Sequence, residues 1–145
     1  MRIRKIKELL LKDSIEAIIV DSPSNVYYLS GFTGTNATLF ITQNTNYLLT
    51  DFRYTEQAEN QTKGFEIIRV DNEPYKKIKE LGKGINSIGI EEEHITWLKY
   101  KQMREVLSEK NLVEASKILN KMRMIKDEAE IAIIREAIKI TDQAF

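Results

Sequence analysis

The sequence predicts an α/β fold in which helices flank a mixed β-sheet. Short apolar runs rich in β-branched residues alternate along the chain with segments whose apolar residues recur at helical spacing, which is typical of α/β domains. The length of 145 residues suits one domain with a substantial core. Neither an internal repeat nor a low-complexity linker divides the chain.

The first half of the chain is predicted to contain two helices and a β-hairpin. Residues 2–12 place apolar side chains on one helical face. Pro23 after Ser22 favours the start of a short helix, which Gly31 ends. An asparagine-rich turn joins the second and third of three predicted strands, which are Ile15 to Val20, Thr38 to Thr42 and Tyr47 to Thr50.

The middle of the chain continues the alternation of helix and strand. Pro74 opens one helix, and Gly82 and Gly84 end it, while Thr96 is a suitable N-cap for another. The predicted helices are Arg53 to Gln61, Glu73 to Leu81 and Thr96 to Glu109. The predicted strands are Glu66 to Val70, Ser87 to Glu91 and an edge strand from Leu112 to Ala115.

The last segment is predicted to be a helix that needs cover from outside this domain. Asp127 and Glu130 have the spacing of a capping box. The helix that they open carries apolar residues on two sides and reaches Phe145 without a C-cap signal. We therefore expect the chain to stop inside a helix that belongs to a longer protein, and we expect its apolar surface to stay partly uncovered.

Composition excludes several classes of function. The 22 basic residues balance the 22 acidic residues, which argues against nucleic acid as a partner because phosphate binding needs a basic excess. No apolar run approaches the roughly 20 residues of a membrane span, so no membrane partner is expected. Cysteine is absent, which rules out disulfides and thiolate metal sites and fits a cytoplasmic location.

The sequence offers no convincing catalytic or metal-binding group. Glu91, Glu92 and Glu93 precede His94, the single histidine. Adjacent residues converge on one metal ion only if the backbone loops around it, so we interpret residues 91–94 as a solvated loop. We predict neither catalytic nor metal-binding residues in this chain.

Two segments mix aromatic, glycine and charged residues near predicted strand ends, namely Asn25 to Gly34 and Thr50 to Ala58. In the first, Phe32 and Thr33 either pack onto the sheet or line a binding surface. In the second, Asp51 is able to cap the next helix, and Arg53 pairs either with Asp51 or with a substrate carboxylate. We expect these four residues to lie together at one edge of the sheet.

The two segments resemble motifs of the creatinase, prolidase and aminopeptidase P family. The first resembles Asn-x-x-Tyr-Leu-Thr-Gly-Phe, and the second resembles Thr-Asp-x-Arg-Tyr-x-x-Gln-Ala. Residues 123–131 are similar to the junction at which the family's catalytic domain begins. In the second motif, Phe52 stands at a position where family members frequently have glycine. The matching positions are Asn25, Tyr28, Leu29, Gly31, Phe32, Thr50, Asp51, Arg53, Tyr54, Gln57 and Ala58.

The resemblance implies a domain plan and a role. Residues 1–122 would be the family's N-terminal domain with a ribonuclease-H-like sheet, and residues 123–145 would be the junction and first helix of the catalytic domain. That missing domain would hold two divalent ions (Mn, Co or Zn), whereas this chain would hold none. The implied partners are its own catalytic domain, a second subunit in a homodimer, and short proline-containing peptides. Phe32, Thr33, Asp51 and Arg53 would form the rim of the substrate cleft.

The resemblance leaves two alternatives to a peptidase domain. Relatives without metal ligands act as peptide- or protein-binding modules, and a chain of this kind would bind without catalysis. A stand-alone α/β sheet would instead bind a small molecule beyond the carboxyl ends of its strands.

Overall fold

The computed structural model describes residues 2–144 and contains seven helices and six strands. The helices are α1 (Arg2–Lys12), α2 (Pro23–Ser30), α3 (Thr55–Gln61), α4 (Pro74–Leu81), α5 (Trp97–Val106), α6 (Ser116–Met124) and α7 (Glu128–Ala144). The strands are β1 (Ala17–Val20), β2 (Ala37–Thr42), β3 (Asn46–Thr50), β4 (Glu66–Arg69), β5 (Ser87–Ile90) and β6 (Asn111–Glu114). The predicted α/β class is thereby confirmed.

The six strands form one mixed sheet in the order β4-β3-β2-β1-β5-β6. Only β2 runs against its neighbours, because it pairs antiparallel with β1 and β3 while the other pairs are parallel. The carboxyl ends of five strands therefore lie along one border, which we call the carboxyl edge. The start of β2 lies there too, since Ala37 pairs with Thr50 at the end of β3.

The sheet separates two hydrophobic cores. Helices α1, α2, α3 and α6 cover one face, and α4 and α5 cover the other. Strand β1 is buried on both faces: Ile18 points into the first core and Ile19 into the second. The continuous apolar run that predicted this strand is thus explained by its central position.

Local signals set the ends of several helices as predicted. Pro23 occupies the first turn of α2, and Gly31 ends that helix in the left-handed conformation with φ 79°. The backbone N–H of Gly31 donates to the carbonyl of Tyr27 at 2.8 Å. The hydroxyl of Thr96 accepts a hydrogen bond from the backbone N–H of Lys99 and caps α5.

Three helices differ from the prediction, of which α5 ends at Val106 and not at Glu109. Helix α3 begins at Thr55 rather than at Arg53, because Asp51 holds Arg53 and Tyr54 in a turn before the helix. Helix α6 was not predicted, although it buries Leu119 and Met122 against the first core. Its short apolar stripe follows β6 without a glycine or proline to separate the two elements.

Helix α7 leaves the domain with its apolar residues uncovered, as the sequence predicts. Its capping box is present, because Asp127 and Glu130 exchange backbone-to-side-chain hydrogen bonds of 2.9 Å. None of its described residues is buried. Among residues 2–144, no helix has the length and hydrophobicity needed to cross a membrane.

Candidate functional site

The two segments singled out in the sequence meet at the carboxyl edge. Residues 31–36 lead into β2 and residues 51–54 follow β3, and these two strands pair antiparallel with Ala37 opposite Thr50. The side chain of Asn36 donates to the carboxylate of Asp51, and the hydroxyls of Thr35 and Tyr54 lie 2.8 Å apart. The structure therefore brings the segments together at one end of the sheet.

Asp51 and Arg53 form a bidentate ion pair. The guanidinium of Arg53 donates from Nε to Oδ1 at 3.0 Å and from Nη2 to Oδ2 at 2.8 Å. The backbone N–H of Arg53 adds a third bond to the same carboxylate at 2.9 Å. Hydrogen bonds from Arg53, and then from Asn36, hold the pKa of Asp51 well below its usual range.

The ion pair joins a buried carboxylate to an exposed guanidinium. The side chain of Asp51 is 5% exposed, whereas that of Arg53 is 60% exposed. The guanidinium is thus oriented by Asp51 and still reaches solvent, where a fork of N–H donors suits a carboxylate. The Cζ atom of Arg53 also lies 5.4 Å from the ring centre of Tyr54.

Phe32 lies beneath this surface and not on it. Its side chain is 1% exposed and belongs to the first core. The ring meets Tyr54 edge to face, with the ring centres 6.1 Å apart. A Cβ at Gly34 would come within 2.3 Å of the Phe32 ring, so a residue without a side chain is required there. Phe32 therefore supports the loop from below.

Thr33 fixes the loop to α3 through exposed polar contacts. Its backbone N–H donates to Oε1 of Gln61 at 2.9 Å, and its hydroxyl accepts from the amides of Gln57 and Gln61 at 3.0 and 2.9 Å. A shallow groove of about 310 Å³ runs beside this loop. Its lining includes Tyr27, which is 56% exposed.

A second cluster at the same edge was missed because Glu91 was interpreted as part of a solvated loop. That interpretation is wrong for Glu91, which is 5% exposed. Its carboxylate accepts four hydrogen bonds of 2.6 to 2.8 Å, from the backbone N–H groups of Asp21 and Ser22, the hydroxyl of Ser22 and the amide of Asn25. The sequence signal was its position directly after a buried strand.

Glu92 also departs from the solvated-loop interpretation. Its carboxylate accepts from the backbone N–H groups of Ala115 and Ser116 at 3.0 Å each and from the hydroxyl of Ser116 at 2.8 Å. Burial raises the pKa of Glu92, but these hydrogen bonds outweigh burial and the pKa is lowered overall. Glu93 and His94 are exposed, as predicted.

Asp21 is the fourth acidic group of the edge. It accepts from the hydroxyls of Thr38 at 2.6 Å and Tyr75 at 2.8 Å, and the ammonium of Lys99 lies 3.2 Å away. Burial, followed by the charge of Asp21, raises the pKa of Tyr75. Tyr75 is thereby kept protonated as a hydrogen-bond donor.

The acidic residues do not assemble a metal site. Within residues 2–144, no group of three or more histidine, cysteine, aspartate or glutamate side chains is arranged to hold a metal ion. Glu91 and Glu92 direct their oxygens to different helices, so their sequence neighbourhood does not become a ligand set.

Comparison with known proteins places this architecture in a family. The creatinase/prolidase N-terminal domain profile matches residues 2–125. The chain belongs to the creatinase/prolidase N-terminal domain family. The motifs that predicted this membership run from α2 into loop 31–36, and from the end of β3 through the turn at Asp51 and Arg53 into α3.

Similar proteins match most or all of this chain, and several of them are much longer than it is. The uncharacterized peptidase YqhT of Bacillus subtilis is 36% identical over all of this chain, which spans 42% of YqhT. An Xaa-Pro dipeptidase from Bacillus anthracis has a TM-score of 0.92 and 30% identity over 99% of this chain and 41% of its own. The aminopeptidase P structure from Streptococcus thermophilus has a TM-score of 0.79 and 30% identity, covering 84% of this chain and 95% of its own. This chain thus spans about two fifths of the curated relatives that it matches.

Proposed function

We propose that this chain is the non-catalytic N-terminal domain of a metal-dependent Xaa-Pro peptidase, in which it serves dimerisation and restricts the substrate cleft. The family match and the similarity to an Xaa-Pro dipeptidase and an aminopeptidase P support this class of reaction. Residues 1–122 are the domain proper, and residues 123–145 connect it to the catalytic region.

The uncovered helix α7 carries this proposal. Four of its five isoleucine side chains are 45 to 69% exposed, namely Ile133, Ile134, Ile138 and Ile140. Burying one such side chain stabilises a protein by roughly 1.5–3 kcal/mol, so four of them strongly favour a covering partner. The partner that we propose is the protein's own catalytic region, with a second subunit beside it in a homodimer.

The rim of the cleft is the second part of the proposal. Arg53 and Thr33 offer polar groups at the carboxyl edge, while Asp51 and Phe32 hold them in position from below. A rim of this kind would admit short proline-containing peptides and orient their carboxylate by the Arg53 guanidinium. The two divalent ions and the catalysis reside in the catalytic region.

Kinetics of the full-length protein with Arg53→Ala test the rim. We expect KM for Xaa-Pro peptides to rise about tenfold with little change in kcat, because the contact is made equally in the ground state and the transition state. Arg4→Ala is the matched control, since the Arg4 side chain is 83% exposed on α1.

Three results would count against the proposal. A fall in kcat at unchanged KM would remove Arg53 from substrate positioning. Peptide binding without turnover by the unmodified full-length protein would favour the binding-module alternative. A monomer in light scattering would contradict the role in dimerisation.

A further inference from the structure

A groove at the far side of the sheet, away from the rim, has the features of a binding surface. Its volume is about 440 Å³, and it lies between α5 and the outer strand β6. The apolar lining includes Ile95, Trp97, Tyr100 and Leu112. Trp97 is 73% exposed and stacks on Tyr100 with the ring centres 5.7 Å apart. An exposed tryptophan beside an apolar groove is typical of an interaction surface.

The backbone beside the groove is open to pairing. Strand β6 is the last strand of the sheet and has β5 on one side only. The N–H groups of Asn111 and Ala115 donate to the β5 side. Because donors alternate along a strand, those of Leu112 and Glu114 face outward. An outer strand with free donors and acceptors is a template for an added strand.

The charged residues that line the groove are both acidic. Glu92 and Glu114 both line it, and neither forms an ion pair within residues 2–144. Leu112 and Glu114 lie two residues apart on the same face of β6, since successive side chains alternate between faces. The groove therefore offers an apolar side chain, Leu112, and an acidic side chain, Glu114, that are two residues apart on one face of the strand.

We propose that β6 and this groove bind an extended segment of a partner protein that carries an apolar residue and, two residues away, a lysine or arginine. The added strand would pair with the open edge of β6. Its apolar side chain would lie beside Leu112 and contact Trp97, and its basic side chain would lie beside Glu114. Backbone pairing supplies affinity in this mode, while the alternating side chains supply specificity.

A second copy of this chain suits the surface less well. Strand β6 itself, from Asn111 to Glu114, contains no cation that could face Glu114 of another copy. The adjacent Lys110 already donates its ammonium to the carbonyls of Gly82 and Ile85, at 3.2 and 2.7 Å. The acidic groove thus favours a partner that brings its own basic residue.

Selection from a random heptapeptide library on phage, with the 145-residue chain as bait, tests the proposal. We expect enriched peptides to share an aliphatic or aromatic residue two positions from lysine or arginine. Trp97 is the single tryptophan of the chain, so its fluorescence reports binding at the groove directly. A synthetic peptide of the enriched sequence should shift Trp97 emission in a saturable titration.

Two variants and one control separate the groove from other surfaces. Glu114→Lys should weaken the peptide about tenfold by replacing attraction with repulsion, and Trp97→Ala should weaken it similarly, as measured by calorimetry. Leu98→Ala, in the same turn and 67% exposed outside the groove lining, should bind as the unmodified chain does.

Three outcomes would overturn the proposal. The first is the absence of an enriched basic and apolar pattern. The second is peptide binding that Glu114→Lys leaves unchanged or that leaves Trp97 emission unchanged. The third is a dimer in light scattering that Trp97→Ala dissociates, because the occupant of the groove would then be a second copy. Each outcome is independent of peptidase activity, so failure here leaves the proposed function standing.

Discussion

Replacing Glu91 with glutamine would test whether the carboxylate after β5 stabilises the domain. Glutamine keeps the shape of the side chain but directs an NH₂ group toward two of the four donors that now bind Glu91. Two charge-assisted hydrogen bonds would be lost and two would become neutral. At about 1.5–3 kcal/mol for each charged bond, and with partial relaxation, the free energy of unfolding should fall by about 3–5 kcal/mol.

Urea unfolding followed by circular dichroism measures this loss. With a denaturant dependence of about 2 kcal/mol per molar, the midpoint should move down by roughly 1.5–2.5 M. Glu93→Gln is the matched control, because Glu93 is exposed and accepts a bond from the side chain of Asn120. The control should change stability by less than about 0.5 kcal/mol. Equal effects of the two substitutions would refute a structural role for Glu91.

Two further predictions concern ion pairs, one between α1 and the start of α7 and the other at the carboxyl edge. Arg2 donates to Asp127 at 2.8 Å and lies 3.3 Å from Glu130. The substitution Arg2→Ala should therefore leave the domain folded but lower the heteronuclear NOE along α7. Arg4→Ala is the control, and it should leave the heteronuclear NOE unchanged. The lowered pKa of Asp51 means that its ionised form stabilises the fold above the unfolded pKa of about 4. The stability difference between the unmodified chain and Asp51→Asn should therefore be constant near neutral pH and shrink below about pH 4, and a difference that grows with acid would contradict the pairing of Asp51.

Much of the fold was predictable because its signals are local. The apolar run of β1 identifies a strand buried on both faces, and the asparagine-rich turn identifies the hairpin. Gly31 adopts the left-handed conformation that ends α2, and Asp127 caps α7 as its spacing with Glu130 predicts. In each case the determining residues lie within a few positions of one another.

The prediction was wrong where contacts between distant parts of the chain determine the local structure or the burial of a side chain. Helix α6 packs two apolar residues against a core built from distant strands, and its nine residues give too short a pattern to stand out. Glu91 looked solvated because the donors that satisfy it are about seventy positions earlier in the chain. Conversely, the Asp51 and Arg53 pair could be predicted as one of two alternatives, since its partners are two residues apart.

The carboxylates at the carboxyl edge hold the loops and helices of this domain in place. Asp21, Asp51, Glu91 and Glu92 each direct their oxygens to donors within the domain. A carboxylate whose lone pairs are filled by structural hydrogen bonds is a poor ligand and a poor base, because reaction would require those bonds to break. The guanidinium of Arg53 stays 60% exposed, and it binds and orients but does not transfer protons at ordinary pH. The four carboxylates therefore hold the structure of this edge together, and Arg53 remains available for the substrate contact that we propose.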